Sequence, residues 1–122
     1  MHNKNIAIVE TYYTAMNNKD LDTMAQYLHH NIKLTSPLST VHGKEAVLQA
    51  AHQFFSAFES ITLHEKFGHD NQVMVVININ FPNQTEPMRS AALISIKDNL
   101  IVSNELFHDT QFMNNIKTKL QA

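Results

Sequence analysis

With 122 residues, 43% hydrophobic and 16% charged, the chain can form one globular domain with its own core and is too apolar for a disordered one. A net charge of −2, one arginine (Arg89) and scattered lysines leave no basic footprint for nucleic acid or an anionic membrane, and no run approaches the roughly 18 apolar residues of a membrane span. Cysteine is absent, which removes disulfides, thiol nucleophiles and thiolate metal sites; without an apolar leader after Met1-His2-Asn3-Lys4-Asn5, the expected compartment is the cytoplasm.

Ile8, Val9, Tyr12, Tyr13 and Met16 recur at three- and four-residue spacing, which predicts an amphipathic helix from Lys4 to Met16. Asn17-Asn18-Lys19 breaks it, and Asp20 caps a short second helix with Leu21, Met24, Ala25 and Leu28 on one side. His29-His30-Asn31 reads as a turn, followed by a short strand from Ile32 to Ser36. Pro37 ends that strand and opens a loop to Gly43. A third helix is expected over Lys44 to Phe58, with Val47, Ala50, Ala51, Phe54 and Phe58 inward.

Four strands then follow: Ile61 to Phe67, Val73 to Phe81, Met88 to Lys97, and Asn99 to Asp109. Val73, Val75, Ile77, Ile79 and Phe81 share one face of the second of these. Pro82 to Pro87 is a turn, Asp98-Asn99 is a hairpin turn, and the residues after Asp109 form a short tail, helical through Ile116 and Leu120. In the last strand strict alternation sets Leu100, Val102, Asn104, Leu106 and His108 on one face and turns Asp109 to the other, unless a bulge intervenes. The aliphatic face is the better interior, so His108 is expected at the inner end of an apolar strand.

Helices gathered on one side of an antiparallel meander make a single α+β domain over residues 1–122, with no repeat or linker. Several strands are apolar on both faces, so the face without helices needs a cover, and a second copy of the chain is the simplest.

The run Tyr12 to Met16, then Asn17-Asn18-Lys19-Asp20-Leu21-Asp22, Ser36-Pro37, His42-Gly43-Lys44-Glu45-Ala46-Val47 and Leu100-Ile101-Val102-Ser103 resembles the nuclear transport factor 2-like superfamily, in the branch of SnoaL-like polyketide cyclases and ketosteroid isomerases. The resemblance covers about 100 residues and rests on the order and spacing of several short runs. It implies a cone: a curved, mostly antiparallel sheet wrapped around the three N-terminal helices, as in cystatin-like α+β folds. It also implies an apolar pocket and dimerisation through the outer sheet face. Tyr12 stands where the isomerases of this family place their enolate-stabilising tyrosine. Ser36 stands at the base position before proline, and Ala92 matches the second acid. Serine is no base near neutral pH and alanine donates nothing, so ketosteroid isomerase chemistry by the family mechanism is not expected. SnoaL-like cyclases imply an Asp near the end of the last strand, where Asp109 lies.

The site expected from these readings places His108, Tyr12 and Asp109 as catalytic candidates. Its walls are Met16, Met24, Leu28, Leu34, Ser36, Val47, Phe54, Phe58, Val75, Ile77, Ala92, Ile94, Asn104 and Leu106. An imidazole can act as acid or base near neutral pH, and a tyrosine hydroxyl can polarise a carbonyl. Tyr12 and His108 are also compatible with ordinary core positions. The remaining histidines lack a metal-ligand spacing, so no metal and no cofactor is expected. Two functions stay open: an isomerase, cyclase or dehydratase moving a proton beside a carbonyl of a small apolar molecule, or a non-catalytic ligand-binding or dimeric assembly module of the same fold.

Overall fold

The computed structural model describes residues 3–110; the expected tail helix through Ile116 and Leu120 lies outside the described residues. Helix α1 is Lys4–Asn17. It starts at Asn3, whose side-chain oxygen accepts from the backbone N–H groups of Asn5 (2.8 Å) and Ile6 (3.4 Å). It buries Ile8, Val9, Tyr12 and Tyr13 of the stripe that the sequence spacing predicts, and Ala15 in addition, while Met16 is only half-buried. Lys19, at φ 56°, turns the chain out of it, and Asp20 caps α2 (Leu21–Gln26) by accepting from the Thr23 N–H at 3.2 Å.

Helix α2 ends before Leu28, which instead opens strand β1 (Leu28–Ser36). The expected turn at His29-His30-Asn31 survives only as an irregularity inside this strand. The register with the last strand breaks between Leu28 and Lys33, and the Asn31 N–H donates to the His29 Nδ1 at 3.0 Å. Pairing with another strand overrode the local turn preference. The expected loop after Pro37 is a hairpin: β2 (Ser39–His42) returns along β1 through the two-residue turn Pro37-Leu38. Helix α3 is Lys44–Phe54, four residues shorter than its pattern. Phe55, Ala57 and Phe58 are all buried, a spread that no single helical face provides. The chain turns there, and the Lys19 ammonium donates to the Phe58 carbonyl oxygen at 2.9 Å and sits 4.8 Å above its ring.

The remaining strands are β3 (Ser60–His69), β4 (Gln72–Asn80), β5 (Met88–Lys97) and β6 (Leu100–Phe107). They join β1 and β2 in one curved, unclosed sheet of order β2-β1-β6-β5-β4-β3, in which only β1–β6 is parallel. Asp98 and Asn99, both at positive φ, make the tight turn between β5 and β6. The three helices lie against the inner face. Val73, Val75, Ile77 and Ile79 of β4 point into it, and so do Met88, Ala92, Ile94 and Ile96 of β5.

Strict alternation fails in β6. Ile96 pairs with Ile101, but Ser95 pairs with Ser103, so Val102 is an extra residue, a β-bulge. The bulge turns Ile101 inward to full burial and leaves Leu100 and Val102 half-buried. That corrects the expected inner face at its first two positions. Beyond the bulge Asn104, Leu106 and His108 share the inner face as expected.

Candidate active site

The cavity of interest lies between α1, α3 and the inner face of the sheet, with a volume of about 230 Å³. That is below the roughly 300–1,000 Å³ of drug-sized ligand sites. Helix α1 supplies Tyr12, Tyr13 and Met16, and α3 with the turn after it supplies Val47, Ala50, Ala51, Phe54 and Phe55. The sheet supplies Leu34 and Ser36 from β1, Ile61 from β3, Ile77 and Ile79 from β4, and Met88 and Ser90 from β5. Asn104 and Leu106 come from β6, and His108 stands just beyond it. Among the described residues no Asp, Glu, Lys or Arg lines it.

Register fixes where the polar groups sit. Asn104 pairs with Leu34 on one side and Ile94 on the other. Ser90 is opposite Ile77 on β4, and one step beyond the Ala91–Phe107 pair places His108 across from Ser90. Four residues separate Asn104 from His108, about 13 Å along a strand. The cavity therefore has two ends along the sheet, with Leu106 between them.

Four buried polar atoms on this wall lack a hydrogen-bond partner among the described residues: Tyr13 Oη, Ser90 Oγ, Asn104 Oδ1 and His108 Nε2. Ser90 and Asn104 are only 4% exposed. Buried polar groups are ordinarily paired, and leaving one unpaired costs about 1–3 kcal/mol. Four of them border this one cavity.

The electrostatics keep these groups neutral. Burial holds the Tyr12 hydroxyl far above the usual phenol range, with the neighbouring Tyr13 adding to the effect; the two rings meet edge to face at 5.5 Å. Burial pushes the Tyr13 hydroxyl up to about 12, and the Asn104 carboxamide, close by but short of hydrogen-bond geometry, pulls it partly back. Desolvation lowers the His108 pKa below its ordinary 6.5, opposed by the Asp109 charge. Near neutral pH the cavity presents phenols as donors and an uncharged imidazole.

Of the residues singled out from sequence, the cavity brings together Tyr12, His108, Met16, Leu34, Ser36, Val47, Phe54, Ile77, Asn104 and Leu106. Met24, Leu28, Phe58, Val75, Ala92 and Ile94 are not on its wall; each is at most 2% exposed and belongs to the packed core beside it. Phe58 lies beyond the end of α3 with the Lys19 ammonium over its ring, and Met24 of α2 belongs with Leu28, Val75, Ala92 and Ile94 of the sheet to the buried core. Asp109 is exposed and off the cavity wall, consistent with its place one residue past His108. Sequence reasoning passed over the Tyr13 and Ser90 hydroxyls. Ser90 left a signal, as the one polar side chain among Met88, Ala92, Ile94 and Ile96 on the inner alternation of β5. Nothing in the sequence separated Tyr13 from Tyr12. Among the described residues no group of three or more His, Asp or Glu could hold a metal ion.

Residues 9–104 match the model of the SnoaL-like domain. No curated protein matches the chain by sequence. Among solved structures, a candidate ketosteroid isomerase from Kribbella flavida superimposes with a TM-score of 0.80 at 14% identity, over 87% of this chain and 78% of that one. An LEH-like epoxide hydrolase from M. tuberculosis gives 0.78 at 14% identity, over 93% and 88%. A candidate polyketide cyclase from Sinorhizobium meliloti gives 0.76 at 18% identity, over 82% and 93%. These likenesses fix the nuclear transport factor 2-like fold. Isomerase, hydrolase and cyclase names on one architecture leave the reaction to the side chains.

Proposed function

The chain belongs to the SnoaL-like domain family, and from that premise we propose that its cavity binds a small, mostly apolar carbonyl compound and moves a proton on the carbon beside the carbonyl. The observation that carries this reading is the set of four unpartnered polar atoms on one apolar cavity, with a neutral imidazole among them. His108 Nε2, in the tautomer that leaves it unprotonated, takes the proton from carbon. The electron pair moves into an enolate, whose oxygen accepts a hydrogen bond from a cavity hydroxyl, that of Tyr12 or Ser90. The imidazolium then returns the proton to the same carbon or to a conjugated one, which gives exchange or isomerisation. Asp109, outside the cavity, favours the transient imidazolium through its charge.

The family's ketosteroid mechanism is not part of this proposal. Ser36 precedes Pro37, its hydroxyl lies 3.3 Å from the Ser39 carbonyl oxygen, and Ala92 is buried off the cavity. A β,γ-unsaturated ketosteroid is expected not to turn over by that mechanism, since Ser36 supplies no base and Ala92 no acid.

The test is hydrogen–deuterium exchange on simple cyclic ketones in D2O, followed by NMR. The wild-type chain is expected to accelerate exchange beside the carbonyl, and His108→Gln to lose it by at least about 100-fold. Saturable binding without exchange would establish the second reading, a non-catalytic ligand-binding module. That reading draws on the lack of any carboxylate on the cavity wall among the described residues.

The proposal includes a homodimer through the outer sheet face. Phe67 pairs with Met74, and Met74 with Leu93; one rung away Val76 pairs with Ala91, and Ala91 with Phe107. Phe67 and Phe107 are 64% and 45% exposed, so the two rungs form a contiguous apolar patch. Light scattering is expected to show a dimer that Phe67→Lys with Phe107→Lys converts to monomer; a wild-type monomer at high concentration would remove this part.

A further inference from the structure

The geometry points to Ser90, and not Tyr12, as the group that holds the carbonyl oxygen of an uncharged substrate, across from His108. The proton transfer that Ser90 would assist rests on the reading above; the contact between Ser90 and a carbonyl oxygen rests on separate observations.

The polar groups of the cavity are not equivalent. The Tyr13 hydroxyl and the Asn104 carboxamide stand side by side. The pull of the carboxamide on the phenol's pKa is that of a hydrogen bond, closed by a slight turn of either side chain. This donor and acceptor satisfy each other. Ser36, on the wall beside Leu106, has its hydroxyl 3.3 Å from the Ser39 carbonyl oxygen. The Tyr12 hydroxyl is not one of the sealed atoms left without a partner. Ser90 Oγ is one: the residue is only 4% exposed, and its oxygen meets no donor or acceptor among the described residues. A hydroxyl buried so deeply is costly to leave unpaired, and this one faces a cavity.

His108 does not answer Ser90 within the fold. One step beyond the Ala91–Phe107 pair sets the two side chains opposite each other, and opposed residues of antiparallel strands have Cβ atoms about 4.5–5.5 Å apart. Yet no hydrogen bond joins them, and only burial and the Asp109 charge act on the pKa of the imidazole. Two unpaired atoms therefore border one space from two strands. A carbonyl compound fits that arrangement, because its oxygen and the neighbouring C–H carbon are separated by a single atom. The Ser90 O–H donates to the oxygen while His108 Nε2 meets the C–H. The proton passes to Nε2, the C–H pair becomes the C=C bond, and the C=O pair moves onto oxygen. The bond from Ser90 strengthens as that charge grows, so it favours the transition state over the bound ketone. Ser90 is held for this by β4 on one side and β6 on the other, at an inward position between Met88 and Ala92. Among the described residues no ionised side chain lines the cavity, so a charged substrate would be desolvated without a counter-charge.

Cyclohexanone, isotopically labelled at its carbonyl carbon, is the probe for two measurements. The infrared carbonyl band of the bound ketone is expected to move to lower frequency in the wild-type chain, to lose that shift in Ser90→Ala and to keep it in Tyr12→Phe. Deuterium exchange beside the carbonyl is expected to fall by about 10²- to 10³-fold in Ser90→Ala and by less than about 10-fold in Tyr12→Phe. Because Ser90→Ala removes an unpaired buried group, its melting temperature is expected to hold or rise. A clear fall would reveal a partner for the hydroxyl inside the fold and overturns the inference. So does a carbonyl shift that survives Ser90→Ala or is absent from the wild-type chain, and so does exchange that Tyr12→Phe slows more than Ser90→Ala. The two claims come apart in the same data. A shift that depends on Ser90, without exchange, removes the proton-transfer reading and supports this contact. Exchange that Ser90→Ala leaves intact does the reverse.

Discussion

The inner face of the sheet is solid around Val73, Ile94 and Ile101 and hollow around Ile77, Ser90 and His108, although the same strands run through both regions. Val73, Ile94 and Ile101 have essentially no exposure, and like Val9 of α1 and Met24 of α2 they belong to the buried core. In the hollow part α3 and the tyrosines of α1 stand off the sheet, and the inward positions of β5 and β6 change from Ile94 and Ile101 to Ser90 and Asn104. The difference teaches that packing and open space are divided between two halves of one surface, and the proposed function concerns the second.

The sharpest way to break this division is His108→Gln. Proton exchange is expected to fall by about 10²- to 10⁴-fold while the denaturation midpoint barely moves; a large loss of stability would show that the imidazole serves the solid half instead. Next in size is a pair of truncations read by urea unfolding. Ile94→Ala is expected to cost roughly 2–5 kcal/mol, and Ile77→Ala, beside space that is already empty, clearly less. Equal costs would mean that the hollow is filled in solution. Asn104→Leu is expected to cost about 1 kcal/mol, because it takes from the buried Tyr13 hydroxyl the carboxamide beside it. A stabilised variant would show that the two groups do not satisfy each other.

The smallest effect is in pH. The folded-state pKa of His108 is lowered, so below the ordinary 6.5 an unfolded chain binds a proton that the folded one resists. Its contribution to stability is complete above 6.5 and is lost as pH falls through the lowered value. Exchange activity should drop over the same window, with its midpoint below 6.5. Asp109→Asn, by removing the charge that opposes the shift, is expected to move that midpoint lower still; a midpoint above 6.5 would place the imidazole in a wetter or more acidic setting.

Most elements were legible because their patterns are local. The stripe of α1, the alternation of β4 and the Asp98-Asn99 turn are each written in adjacent residues, and each came out as read save that Ala15 rather than Met16 is buried at the end of the stripe. The failures share a cause. His29 to Asn31 look like a turn until β6 is available to pair with β1, and Ser39 to His42 are too few to announce a strand without their partner. The end of α3 depends on Phe58 finding Lys19, 39 residues earlier in the chain.

By itself, the sequence determined the α+β class, most of the helical stripe, the inward set of β4, and His108 as an imidazole at the end of an apolar strand, since these depend on periods of two and 3.6 residues. Only the tertiary structure decided which of those apolar positions border space and which are filled, because that depends on how far each helix stands from the curved sheet. It also decided the Val102 bulge that sets the inward face of β6, and the meeting of Tyr13 with Asn104, residues 91 apart in the chain that no local pattern connects. Packing distance and strand register belong to pairs of elements, and a single stretch of residues does not encode them.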